Sequence, residues 1–482
     1  MSQPTQCLMR IARASMVLTV LCGMVAMSMS AMASENILLA TEQADQPKLV
    51  LDAKPAYSIL RAGEKQTAWM RVGLTGFKLV SKEERAPLNV AIVLDRSGSM
   101  QGEKMEQARN AAISALELLK SNDIISVIAY DTEVSVLVPA TKLTDKEAII
   151  SVIRNIEASG NTALFGGVSK GAAEVRKFMD EKHVNRIILL SDGLANVGPS
   201  APGELGSLGN SLKKENITVS TLGLGLGYNE DLMVQLAGQS GGNHLFIEDA
   251  TELADVFRKE FHDALSVVAQ EIDIRIGIPE GIRPVRVLGN AADINGQSVV
   301  TRLTQIYSEQ QKHVVVEVEI PAAMAVEAVE SADQKPLMLA SVDVSYRNMA
   351  SQQQEQLTGS VAVTFSSSGD KVQASRDKSV MADVVALIAS EQNKLATTYL
   401  DAGDLENCRR TLKENVDFLN ANYLSLGKEV LKEHADLNTV QLKQLEGVDS
   451  KMAPAAGVAR KLGRAYQNAA DQQSAPAKPS GK

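Results

Sequence analysis

Asp95, Ser97 and Ser99 stand at alternate positions in Leu94-Asp95-Arg96-Ser97-Gly98-Ser99-Met100, the stretch of this sequence best equipped for chemistry. One carboxylate and two hydroxyls form a hard, oxygen-only donor set. Such a set suits Mg²⁺, which takes oxygen ligands in octahedral geometry and keeps some of its water. Two further stretches carry matching donors. Ser159-Gly160-Asn161-Thr162 presents a threonine just before a helical pattern, and Leu189-Leu190-Ser191-Asp192-Gly193 ends an apolar run on a second carboxylate. Singly, each residue has an ordinary role as a helix or turn cap. Brought side by side, Asp95 and Asp192 would repel one another unless a cation lay between them. Asp95, Ser97, Ser99, Thr162 and Asp192 together therefore point to a bound divalent metal.

The surrounding sequence must hold these groups at one place. Val90–Leu94 is an unbroken apolar run, as expected of a parallel strand buried on both faces, and open α/β sheets place ligands at the C-terminal ends of such strands. Across 88–267 strand and helix patterns alternate: strands at 90–95, 124–130, 133–138, 185–190, 217–222 and 244–247, and helices at 104–120, 145–156, 164–179, 203–215, 230–237 and 251–267. That order predicts a mostly parallel sheet with helices on both faces. If the strands ending at Asp95 and near Asp192 are neighbours, both carboxylates lie at one sheet edge.

Outside this α/β region the period changes. Residues 34–47 are polar and expected to be loose. Strands at 48–52 and 66–74 are too few to bury a face alone. Residues 268–370 return to period two, with strands at 271–278, 313–320, 337–346 and 360–365 and a hairpin tip at Asn295-Gly296. The 34–87 strands are expected to pair into this sandwich-like β region, which makes the α/β domain an insertion in one β domain. Residues 377–467 are helical, with a stop and restart at Asp401-Ala402-Gly403-Asp404. The composition of 468–482 predicts a disordered tail.

Residues 1–33 read as an export signal. Arg10 and Arg13 precede an uncharged stretch from Ala14 to Ala33 that ends in Ala31-Met32-Ala33 before Ser34. The alternative is a retained N-terminal membrane anchor. No second apolar span follows, so the processed chain is expected to be periplasmic or secreted without a membrane span. The formal charge of −9 argues against nucleic acid as a partner. Only Cys408 remains after the signal, on an apolar helical stripe, where burial of an inert thiol is expected.

These stretches resemble the von Willebrand factor type A domain over 88–267. Asp95, Ser97 and Ser99 match the first motif of its metal-ion-dependent adhesion site, Thr162 the second and Asp192 the third. Gly102-Glu103-Lys104-Met105, Asp192-Gly193-Leu194-Ala195-Asn196, Gly223-Leu224-Gly225 and Gly241-Gly242 also match. The resemblance implies a Rossmann-like fold that binds Mg²⁺, with Mn²⁺ or Ca²⁺ as substitutes. It also implies a protein partner whose Asp or Glu completes the coordination, and a last helix, here 251–267, that can shift when it does. The layout is similar to exported bacterial proteins of this family, to calcium-activated chloride channel-like proteins and to the inter-alpha-trypsin inhibitor heavy chains. No channel is inferred, because the chain has no pore-forming span.

Enzymatic readings lack their motifs. His183, His244, His262, His313 and His434 show no metal-binding pair spacing, and Ser97 stands in no Gly-x-Ser-x-Gly elbow. Gly223-Leu224-Gly225-Leu226-Gly227 is read as a turn, and Asp131, which could line the metal site after its strand, is read as a surface turn. The expectation is therefore a non-enzymatic binding protein. The competing readings are an envelope scaffold whose metal only stiffens its loops and, more remotely, a metal-dependent hydrolase.

Overall fold

The computed structural model describes residues 47–79, 85–325, 336–448 and 453–473. The expected signal or anchor at 1–33, most of the loose segment that follows, and the tail beyond 473 lie outside the described residues. From Leu49 onward the chain is one unit. It opens with β1 (Val50–Pro55), β2 (Ile59–Arg61) and β3 (Gln66–Thr75). The inserted α/β region then runs β4 (Leu88–Asp95), α1 (Glu103–Leu116), β5 (Ile124–Tyr130), β6 (Val134–Lys142), α2 (Lys146–Arg154), α3 (Leu164–Arg176), β7 (Val184–Ser191), α4 (Pro202–Lys214), β8 (Ile217–Leu224), α5 (Glu230–Ser240), β9 (His244–Ile247) and α6 (Leu253–Leu265).

The α/β sheet has the order β6-β5-β4-β7-β8-β9, parallel except for β6, which runs antiparallel to β5 along one edge. β4 is central. Its even-numbered residues Leu88, Val90, Ile92 and Leu94 pack with α1, α2 and α6, while Ala91 and Val93 pack with α3, α4 and α5. Both faces of β4 are therefore apolar, which is why its sequence shows no alternation. Its neighbours β5 and β7 lie on opposite sides, so the strand order reverses at β4, the switch point at whose C-terminal end such sheets form a crevice.

The β region adds β10 (Val267–Gly277), β11 (Arg283–Leu288), β12 (Ala292–Asn295), β13 (Ser298–Tyr307), β14 (Gln311–Ile320), β15 (Leu337–Asn348) and β16 (Gln354–Ser366). One sheet has the order β1-β3-β14-β11 and the other β12-β13-β10-β15-β16-β2. Strands from both ends of the insertion thus share one core, in which Met70, Val72 and Leu74 meet Val314, Val316, Ile274 and Val342. The junction between the α/β unit and the sandwich differs from the sequence expectation. The last α/β helix stops at Leu265, and strand pairing starts at once, Val267 opposite Tyr307. Val267-Val268-Ala269 is apolar throughout, and such a run cannot be told from a helix end by periodicity. β13 was also absent from the expectation, although the Asn295-Gly296 hairpin that leads into it was read correctly.

After the short α7 (Gly369–Ala374) come four long helices: α8 (Lys378–Asp401), α9 (Leu405–Leu426), α10 (Glu429–Gln444) and α11 (Ala453–Gln472). Asp404 caps α9 by accepting from the Asn407 N–H, and Cys408 is buried beneath it. α11 continues into the segment expected to be disordered. It is held there by contacts that composition does not reveal: Asn468 Oδ1 accepts from the His244 N–H at 2.7 Å, and Asp471 pairs with Lys394 at 2.7 Å. No helix among the described residues is long and apolar enough to cross a membrane.

The α/β unit and the sandwich are joined by a buried polar network. Arg186 on β7 is fully buried and donates to Glu260 of α6 (2.5 Å), Ser220 of β8 (3.0 Å) and the Tyr307 hydroxyl of β13 (3.3 Å). Asn243 donates to the second Glu260 oxygen at 3.1 Å. Removing one member of a buried pair strands the other charge, at a cost of about 3–5 kcal/mol. Arg186→Met should therefore lower the urea unfolding midpoint strongly, and Arg186→Met/Glu260→Gln should recover much of the loss. A double variant no more stable than the single one would show that the arginine contributes by packing rather than by charge.

Candidate metal centre

Asp95 is the last residue of β4, and Asp192 follows the last residue of β7. Leu94 and Leu190 are register partners, so the two carboxylates leave the sheet side by side. Both residues are buried. Asp95 Oδ1 accepts the Ser97 N–H (2.8 Å) and Oδ2 accepts the Ser191 hydroxyl (2.6 Å). A one-turn 3₁₀ helix at Gly98–Met100 then turns the chain so that the Ser97 and Ser99 hydroxyls lie 3.0 Å apart. Ser99 donates to Asp192 Oδ1 at 2.6 Å, and the Lys104 ammonium reaches Asp192 Oδ2 at 2.5 Å.

Thr162 enters from the loop before α3. Its N–H donates to Asn196 Oδ1 (2.8 Å), and its carbonyl accepts from the Asn196 N–H (3.1 Å). The site floor at Gly193 shows how the donors converge. A β-carbon placed there would stand 3.2 Å from Thr162 Oγ1, 3.5 Å from Ser99 Oγ and 3.8 Å from Ser97 Oγ. The structure thus gathers all five sequence-derived candidates at one sheet edge. Two carboxylates and three hydroxyls form an oxygen-only donor set that fits a hard dication keeping part of its water, with the Lys104 ammonium at one edge of the cluster.

Asp131 differs from expectation. It is buried rather than on a surface turn, and it braces two of the site loops. Its carboxylate takes Arg96 (3.0 Å), the Ser159 hydroxyl (3.1 Å) and the Glu133 N–H (2.7 Å), while its carbonyl accepts from the Ala163 N–H (2.8 Å). Gly160, between these loops, has a positive φ of 72°, and a β-carbon there would lie 2.8 Å from Thr132 Oγ1. Of the expected Gly223–Gly227 turn, Gly223 and Leu224 end β8 and only 225–227 turn, and this turn closes against the site: a β-carbon on Gly227 would meet the Asp192 carbonyl at 2.7 Å.

Burial raises the Asp95 carboxyl above its ordinary range. Hydrogen bonds from Ser191 and Ser97 oppose the rise, and the charge of Asp192 adds to it. The histidines make their contacts elsewhere: His183 with Asp180, His244 with Thr221 and Tyr228, and His434 with Tyr466. Sequence reasoning gave Ser191 and Lys104 no role. Ser191 ends a strand and could have been seen as Asp95's lateral neighbour once the sheet order was known. Lys104 carried a signal of its own, a cation in the first turn of a helix, where the backbone dipole disfavours it.

Residues 89–259 match the family model of the von Willebrand factor type A domain. Among the chain's relatives is protein sll0103 of Synechocystis sp., 26% identical over 342 residues, which span 69% of this chain and 78% of that protein. Inter-alpha-trypsin inhibitor heavy chain H3 of Pongo abelii is 32% identical over 165 residues, 32% of this chain but only 19% of its own length. Among solved structures, the von Willebrand factor type A protein of Catenulispora acidiphila aligns with a TM-score of 0.64 and 16% identity, covering 85% of this chain and 92% of that one. The fold likeness therefore extends over the sandwich and helices as well as the α/β unit.

Ser191→Ala should test the support of Asp95. Losing a hydrogen bond to a buried carboxylate costs about 1–3 kcal/mol. The variant should unfold at lower urea than wild type in EDTA, by an amount in that range. An unchanged midpoint would mean that water replaces the hydroxyl without loss.

Proposed function

We propose that this chain is an exported, non-enzymatic protein that binds a protein partner through a divalent cation, Mg²⁺ by preference, held by Asp95, Ser97, Ser99, Thr162 and Asp192. The observation that carries this reading is the convergence of three hydroxyls between two buried carboxylates at the switch point of the sheet. A cation held there would supply an electrophilic centre for an outside oxygen ligand. Asp95 and Asp192 supply the charge. Ser97, Ser99 and Thr162 are neutral, so the centre keeps affinity for a carboxylate, and an Asp or Glu of the partner is the fitting ligand. Ser99 and Gly98 face solvent, which leaves the approach open. The periplasmic or secreted location rests on the Arg10–Ala33 pattern.

The first test is a Mn²⁺ titration by calorimetry of wild type and Asp95→Ala. Loss of an outer-shell group around a metal already costs about 10–100-fold in affinity, so loss of a carboxylate ligand should cost about a hundredfold or more. The second is recovery of envelope proteins on immobilised wild type with Mg²⁺, compared with EDTA and with Asp95→Ala. A protein retained only by wild type with Mg²⁺ is the expected result. Metal binding that leaves every recovery unchanged would favour the scaffold reading instead. Equal Mn²⁺ affinity in wild type and Asp95→Ala would remove Asp95 from the site.

A further inference from the structure

The two carboxylates of the site are compensated unequally. Among the described residues, Asp95 is compensated by dipoles of Ser97 and Ser191 and by no cation. Asp192 receives a dipole from Ser99 and a full positive charge from Lys104, whose ammonium lies 2.5 Å from Oδ2. The Asp192 side chain has no exposed surface, whereas that of Lys104 is 38% exposed. A long side chain with that much access to water can swing away without unfolding anything.

The position of Lys104 is not explained by its own helix. It stands in the first turn of α1, beside Glu103 and Glu106. Anions are favoured at that end of a helix and cations are not. The Asp192 carboxylate is the contact that offsets this placement.

We infer that Lys104 is a tethered cation that competes with the divalent metal for Asp192. This rests on the metal reading given above and adds a regulatory property to it. Without metal, the ammonium neutralises one of two adjacent buried carboxylates and keeps the loops assembled. On metal entry, that ion pair must loosen, so part of the attraction between Asp192 and the metal is spent on displacement. Whether the ammonium then turns to solvent or stays at the rim, the loaded centre is more positive than two carboxylates alone would make it. Lys104 thus lowers affinity for the bare metal and raises affinity of the loaded site for an incoming carboxylate. By linkage, a carboxylate ligand must tighten metal binding by the same factor. The site would fill with metal and acidic partner together rather than with metal first and to saturation.

The test is Mn²⁺ titration by calorimetry of the full chain as wild type, Lys104→Met, Lys104→Arg and Asp95→Ala, with and without acetate, and with melting temperatures measured in EDTA. Removing a unit charge next to the site should tighten Mn²⁺ binding by about tenfold in Lys104→Met. Lys104→Arg, which keeps the charge, should bind like wild type. In EDTA, Lys104→Met should melt below wild type and then gain more from Mn²⁺. Acetate should tighten Mn²⁺ binding in wild type more than in Lys104→Met. Equal Mn²⁺ affinity in wild type and Lys104→Met overturns the competition and leaves the metal reading standing. An acetate effect no larger in wild type overturns the coupling to the carboxylate. If neither protein binds Mn²⁺ better than Asp95→Ala, the metal reading itself falls, and this inference with it.

Discussion

Two carboxylates buried side by side set the terms for this structure. Asp95 and Asp192 leave adjacent parallel strands at one sheet edge, and neither reaches bulk water. Burying like charges at short range is costly unless dipoles, hydrogen bonds or counter-charges compensate them. Four segments around this end of the sheet answer that requirement. The 3₁₀ turn brings Ser97 and Ser99, β7 ends on Ser191, α1 sends back Lys104, and the loop before α3 delivers Thr162. Asp131 fastens these loops to one another through Arg96 and Ser159. The site is held by a lattice of short polar contacts rather than by one rigid element.

The same logic recurs at the junction with the sandwich. α6 passes into β10 through the single residue Ser266, so the last α/β helix and the first sandwich strand cannot move independently. Arg186, Glu260 and Tyr307 tie β7, α6 and β13 below that junction. A helix shift of the kind the family resemblance implies would have to break or carry this network. In an isolated α/β domain the terminal helix is free at one end. Here it is clamped by a buried ion pair and continued by a strand.

The sequence was informative where the pattern was local. The unbroken apolar run ending on Asp95 fixed a buried central strand, and the alternation of strand and helix from 88 to 267 fixed the sheet type. The orphaned strands at 48–52 and 66–74 pointed to a partner across the insertion, and β1 and β3 do pair into the sheet with β14. What was illegible depended on distant neighbours. Val267–Ala269 is strand because Tyr307 and Asn348 lie opposite, which no window of sequence displays. Asp131 looks like a turn residue until Arg96 and Ser159 fold around it. Residues 468–472 have a polar composition that fits a loose tail. They are helical because His244 and Lys394 wait for Asn468 and Asp471.

That last contact bears on the site at a distance. α11 runs along the edge of the α/β sheet at β9, where an unpaired strand would otherwise be exposed. Near one end, the nearly buried Lys461 donates to the Tyr228 carbonyl at 2.8 Å and to Glu230 at 2.6 Å, and lies over the Tyr228 ring. Further along, Asn468 takes the His244 N–H, and Gln473 accepts from the His313 N–H of β14 at 2.6 Å. Tyr228 follows directly on the Gly225–Gly227 turn whose backbone lies against the Asp192 carbonyl. The C-terminal helix is therefore a strut from the sandwich to the loop that backs one of the two carboxylates. The chain closes on itself twice, through α6 at the junction and through α11 along the edge.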